Sequence, residues 1–141
     1  MPARWNTFDP ACPTRQLLDR VADKWTVLVL ATLSAEPVRF GDLRRRVGGI
    51  SGKVLTECLR SLERDGLIER YVHTGSALRV EYELTRLGLS LVHLLEPLRL
   101  WAETNMTKVA AARARRSLAV EPQRKTTAAA PRSQMLRRAR A

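Results

Sequence analysis

The sequence predicts a mainly α-helical domain that carries one small β-hairpin. Three observations point there. Apolar residues recur at helical spacing in four segments before Gly66; a pair of short segments after it alternates as strands do; and a long leucine-rich helical pattern follows the pair.

Pro13 suits the first position of a helix, where a missing N–H costs nothing, and Leu17, Leu18, Val21 and Ala22 follow on one side, so a first helix is expected over residues 13–22. Asp23 is an N-cap residue for a second helix. Its run of Trp25, Val27, Leu28, Val29, Leu30, Ala31 and Leu33 is apolar almost all round, as in a helix central to a core. Pro37 ends that run, Phe40, Leu43 and Val47 resume the helical period, and Gly48-Gly49 stops this short third helix.

The fourth helix is the best signed. Ser51 caps it, Ile50 can staple onto Leu55, and Gly66 closes its C-terminus. Leu55, Cys58, Leu59 and Leu62 form its core stripe, while Lys53, Val54, Glu57, Arg60, Ser61 and Arg64 lie opposite. Residues 67–73 and 79–84 read as strands, the second alternating Val80, Tyr82 and Leu84 with Arg79, Glu81 and Glu83, and residues 74–78 form the tip. A turn at Gly75-Ser76 would set Arg70 opposite Glu81, a structural pairing. Thr85 caps a long helix with Leu87, Leu91, Leu94, Leu95, Leu98 and Trp101 in register, which Pro97 is expected to kink or split.

Of 141 residues, 25 are Lys or Arg and 14 are Asp or Glu, for a net charge of +11. From Ala110 onward there are nine basic residues against Glu121 alone, in a stretch rich in Ala, Arg, Pro and Ser that has too little apolar surface to offset the entropy of ordering. The organisation read from this is an N-terminal arm over residues 1–11, one domain over 12–109, and a basic disordered tail over 110–141. No stretch approaches the ~18 to 20 apolar residues of a membrane span, and the first twelve residues lack a signal peptide's apolar centre, so a cytoplasmic protein with no membrane partner is expected. Cys12 and Cys58 are too few for a disulfide framework, and with His73 and His93 they show no metal-ligand spacing. With no glycine-rich phosphate loop, no H-E-x-x-H and no nucleophile beside an evident base, the expectation is no metal, no cofactor and no enzyme activity.

Two helices joined by a tight turn and followed by a hairpin make a winged helix-turn-helix, whose second helix enters the DNA major groove while the wing reaches flanking backbone. The partner implied is double-stranded operator DNA, and the location cytoplasmic and nucleoid-associated. Ser51 and the free N–H groups at the helix start can hold a phosphate, and Lys53, Val54, Thr56, Glu57 and Arg60 belong to the reading helix. Arg44, Arg45 and Arg46, with Arg79 on the wing, are candidate phosphate contacts. A long apolar terminal helix on so small a domain needs a partner surface, which points to a homodimer on a palindromic operator. Cys12 precedes the helix-starting Pro13, which places it at the N-cap with Arg15 nearby, and is a candidate redox sensor, whereas Cys58 lies on a core stripe. Trp25 and Trp101 are read as packing residues. The rival reading is a non-specific architectural protein whose basic tail binds DNA by counterion release.

The stretches Cys12-Pro13, Lys24-Trp25-Thr26, Arg39 to Leu43, Gly49-Ile50-Ser51 with Leu55-Thr56, Leu59 to Arg70, Arg79 to Thr85, Gly88 and Trp101, in this order, resemble the HxlR-type winged helix-turn-helix regulators, relatives of the MarR group. The resemblance covers residues 12–101. It implies a dimeric regulator, more often a repressor, with a recognition helix over residues 51–65. It places dimerisation on the terminal helices, here the first helix and the one after Thr85. In some members the cysteine matching Cys12 senses oxidants or electrophiles. The chain departs from the family pattern at Ser76, Ala77 and Leu78, where many members have wing-tip prolines, and at Asp23, where glycine is frequent.

Overall fold

The computed structural model describes residues 4–119. In chain order the elements are α1 (Thr14–Val21), α2 (Lys24–Leu33), β1 (Val38–Arg39), α3 (Phe40–Val47), α4 (Gly52–Arg64), β2 (Ile68–His73), β3 (Arg79–Leu84) and α5 (Arg86–Leu118). The chain divides into two units, residues 1–103 and residues 104–141, and the sheet and core belong to the first.

The core is built around α2, as its all-round apolar run requires. Val29, Leu30 and Leu33 are buried there against Leu43 of α3, Leu55, Leu59 and Leu62 of α4, and Ile68 of β2. Asp23 caps α2 by accepting from the Trp25 and Thr26 amides at 3.1 and 3.4 Å. Gly66, at φ 72°, ends α4 in a Schellman motif. Its own amide donates to the Glu63 carbonyl at 3.0 Å, and the Leu67 amide donates to the Leu62 carbonyl at 2.9 Å. Trp25 packs half-buried against the core, as expected, but Trp101 is 60% exposed on α5.

Several elements differ from the sequence reading. α1 starts at Thr14 with Pro13 as its N-cap residue, one position later than expected, and contributes no buried residue of its own. The two-residue strand β1 carries no periodic signal, yet it completes a three-stranded antiparallel sheet in the order β1-β3-β2, with Val38 opposite Tyr82 and Arg39 opposite Glu81. Arg70 does not face Glu81. His73 pairs with Arg79 across a five-residue tip, so the register moves by one and Arg70 meets Tyr82 while Tyr71 meets Glu81. Glu81 instead contacts His73 Nε2 at 3.1 Å and Arg39 Nε at 3.8 Å.

Pro97 does not split α5, which continues unbroken to Leu118, past the expected boundary at residue 109. Val109 to Arg116 are mostly Ala and Arg, strong helix formers that extend an existing helix without a new nucleation cost. The remainder of the expected tail, residues 120–141, lies outside the described residues. Thr85 caps α5 as read: its Oγ1 accepts from the Gly88 amide at 3.0 Å and donates to the Gly66 carbonyl at 2.6 Å. Among the described residues no helix is long and apolar enough to cross a membrane.

Candidate nucleic-acid interface

α3 and α4 meet at Gly48 and Gly49, whose φ angles of 68° and 75° only glycine adopts without strain, and Ile50 anchors the turn in the core. The Val54 amide donates to Ser51 Oγ at 3.1 Å, which satisfies one of the free N–H groups at the start of α4 and leaves others directed outward. Arg44 reaches the same place from α3: a Cβ on Gly52 would lie 3.7 Å from its Nη1. Arg44 and Ser51, both exposed, therefore converge with the positive end of the α4 dipole, a combination suited to an anion.

Along α4, Lys53, Glu57, Arg60 and Arg64 are exposed at helical spacing and form one polar stripe. Two members of the expected reading group depart from it. Val54 is half-buried against the core, beside Trp25, Thr26 and Cys58, because its position on the helix turns it toward α2. Thr56 is half-buried on the other flank and donates its hydroxyl to the Gly52 carbonyl at 2.8 Å. The expected phosphate contacts are exposed but differ in pairing. Arg45 is paired with Asp42 and Arg46 with Glu36, whereas Arg44 and Arg79 make no ion pair among the described residues. Arg70 and Tyr82, which the sequence reading left out of the interface, border α4 in a crevice with Arg60. Only the strand register, which the periodicity leaves open, places them there.

Cys12 is not the N-cap of α1 as expected: the helix starts one residue later, so Pro13 takes that position and Cys12 lies one residue ahead of it, 9% exposed. The Thr14 hydroxyl donates to its Sγ at 3.0 Å. That bond, reinforced by the Thr14 and Asn6 backbone, holds the Cys12 thiol below its ordinary value. Arg15, expected to assist, instead donates to the Thr7 carbonyl at 3.0 Å. Burial pushes the Cys58 thiol up.

The HxlR-like helix-turn-helix family matches residues 20–110. YtfH of Escherichia coli K12, an HTH-type transcriptional regulator, is 39% identical over 112 residues, or 79% of this chain and 89% of its own. Among solved structures, the transcriptional regulator ytfH from Salmonella typhimurium is 39% identical with a TM-score of 0.74, covering 78% of this chain and 98% of its own. The redox regulator HypR in its reduced form is 30% identical with a TM-score of 0.64, covering 70% and 98%.

Proposed function

The chain belongs to the HxlR-like helix-turn-helix family of transcription regulators, and from that premise we propose that it is a homodimeric repressor that reads a palindromic operator with α4. The observation that carries this is the uncovered stripe of Lys53, Glu57 and Arg60 beside an anion-ready helix start held by Ser51 and Arg44. Lys53, Glu57 and Arg60 meet base edges; Ser51, Arg44, Arg45 and Arg79 meet phosphates. Val54 supports the helix from its inner side, and Thr56 lies at the edge of the reading face.

The homodimer is supported by exposed apolar side chains on the terminal helices. Leu17 and Leu18 of α1 are exposed, as are Leu87, Leu94 and Leu98 of α5. A two-fold pair then reads half-sites about one helical turn, or a multiple of it, apart. Cys12 is proposed as a thiol that responds to oxidants or electrophiles, supported by its lowered thiol and by the likeness to a redox regulator. Its action would be in the cytoplasm, on the nucleoid.

A second reading has a specific observation behind it. Residues 1–103 carry fifteen basic and thirteen acidic residues, residues 104–141 ten and one, so the positive charge is segregated into the second unit as in a general DNA binder. A selection of genomic fragments on the reduced protein, at two salt concentrations and with the C-terminal segment removed, separates the two. An enriched palindrome that survives truncation supports operator reading. Salt-sensitive binding with no sequence preference would replace it with the architectural role.

A further inference from the structure

The flank of α4 that faces the sheet borders the base-reading stripe and shares one residue with it, Arg60, whose five N–H donors can serve a base edge and a phosphate together. Between α4, the start of α3 and the sheet lies a crevice of about 420 Å³, lined by Phe40, Thr56, Arg60, Glu63, Arg70 and Tyr82. Its donors are unused. Arg60 of α4 and Arg70 of β2 make no ion pair among the described residues. Tyr82 of β3 is 8% exposed, and its hydroxyl makes no hydrogen bond among the described residues. No side-chain oxygen buried among the described residues lacks a partner, so this hydroxyl opens onto the crevice, where it is a donor available to an acceptor. Thr56 is committed to the Gly52 carbonyl, which leaves two guanidiniums and one phenol as the donor set. Glu63 contributes the lining's one carboxylate, so the wall carries a net charge of +1 and complements a singly charged oxyanion.

We propose that this crevice is an oxyanion site in which Arg60, Arg70 and the Tyr82 hydroxyl hold one phosphate group. Two sources share that chemistry, a DNA phosphodiester and a free phosphate-type anion. The first rests on the reading given under Proposed function. With α4 in the major groove and the wing over the adjacent minor groove, the sugar-phosphate strand dividing the grooves has to cross the gap between α4 and the sheet. A phosphodiester carries a single charge, matching the lining. Bound there, it would fix the distance between the reading helix and the wing without reading sequence itself.

The test uses the full-length reduced protein with Tyr82→Phe, which keeps the ring packing, and Arg70→Gln on an exposed strand position. In one arm, anisotropy of a labelled random-sequence duplex is followed against KCl. Tyr82→Phe should weaken binding about tenfold, as for a lost hydrogen bond to a charged acceptor. Arg70→Gln should reduce the slope of log affinity against log salt by about 0.9, the value for one phosphate. In the other arm, inorganic phosphate is titrated without DNA while the backbone amide resonances of Thr56, Arg60, Arg70 and Tyr82 are followed. Effects in the duplex arm assign the site to the DNA backbone, and saturable shifts with unchanged duplex binding assign it to a free anion. If both variants bind duplex like the parent and phosphate moves no resonance, the site is overturned while the operator reading stands. If the parent binds no duplex, that reading falls and the phosphate titration alone decides the site. Should Tyr82→Phe lower the melting midpoint, Arg70→Gln carries the duplex arm.

Discussion

Gly88 lies in the first turn of α5, three residues beyond the Thr85 cap, and its replacement by alanine tests how that helix is seated. A Cβ at this position would stand 2.0 Å from the Leu67 carbonyl oxygen, 3.0 Å from its carbon and 3.2 Å from Leu84 Cδ2. Ordinary carbon–oxygen contact needs more than ~3 Å, so α5 must retreat by about 1 Å or more. The obstacle is backbone that cannot yield cheaply. The Leu67 amide closes α4 on the Leu62 carbonyl, and the Leu67 carbonyl accepts from the Thr85 amide at 3.1 Å. Overpacking typically costs about 1–3 kcal/mol, and a weakened cap hydrogen bond adds about 1 kcal/mol. We expect Gly88→Ala to lose about 3 kcal/mol, a fall of roughly 10 °C or more in the melting midpoint at ~4 °C per kcal/mol. Gly41 in α3 supplies the control: its Cβ would meet nothing within 4 Å, so Gly41→Ala should be neutral or stabilising by up to ~1 kcal/mol. Thermal and urea unfolding of the three proteins reads both signs. A Gly88→Ala midpoint within about 2 °C of the parent would refute the argument that contact with Leu67 demands glycine here.

Single substitutions of Lys53, Glu57 and Arg60 should each alter preference at one or two base positions by about 1–3 kcal/mol, whereas Arg44→Gln should weaken all sequences alike; repeating the fragment selection on each variant would expose the error if Glu57 variants kept the parental preference. Thr14→Val removes the hydrogen bond that lowers the Cys12 thiol, so iodoacetamide should modify Cys12 more slowly at neutral pH, and Cys58, raised by burial, should lag behind Cys12 in the parent. Because the folded value of Cys12 is depressed, its contribution to stability is present above the ordinary thiol range and disappears as pH falls through the lowered value; Thr14→Val should flatten that part of the pH–stability curve, and equal alkylation rates in parent and variant would remove the basis for it. Deleting residues 119–141 leaves α5 whole while removing six basic residues, so DNA affinity should depend less steeply on salt with the preferred sequence retained; a lost preference would show that this segment takes part in reading.

Much of the framework was legible because its signals are local. Asp23, Ser51 and Thr85 cap the helices they were read to cap, and Gly66 closes α4, since each acts through backbone groups only a few residues away. The helical period of Leu55, Leu59 and Leu62 likewise identified the core side of α4, and the alternation in Arg79–Leu84 identified the wing's second strand. The resemblance quoted for Gly88 marked the position without the reason, which is the Leu67 carbonyl from another element.

What the sequence determined by itself was therefore the kind, order and ends of most elements, and with them the winged helix-turn-helix. The tertiary structure decided what depends on distant partners. It recruited Val38 and Arg39 as a third strand, shifted the hairpin by one residue so that Arg70 meets Tyr82, and turned Val54 toward α2. It also left Trp101 outside the core. The physical reason is one of range. Caps and periodicity act within a turn or two of the chain, whereas strand register and the side a flanking residue takes are set by which packing buries the most apolar surface and leaves the fewest polar groups unpaired across the whole domain.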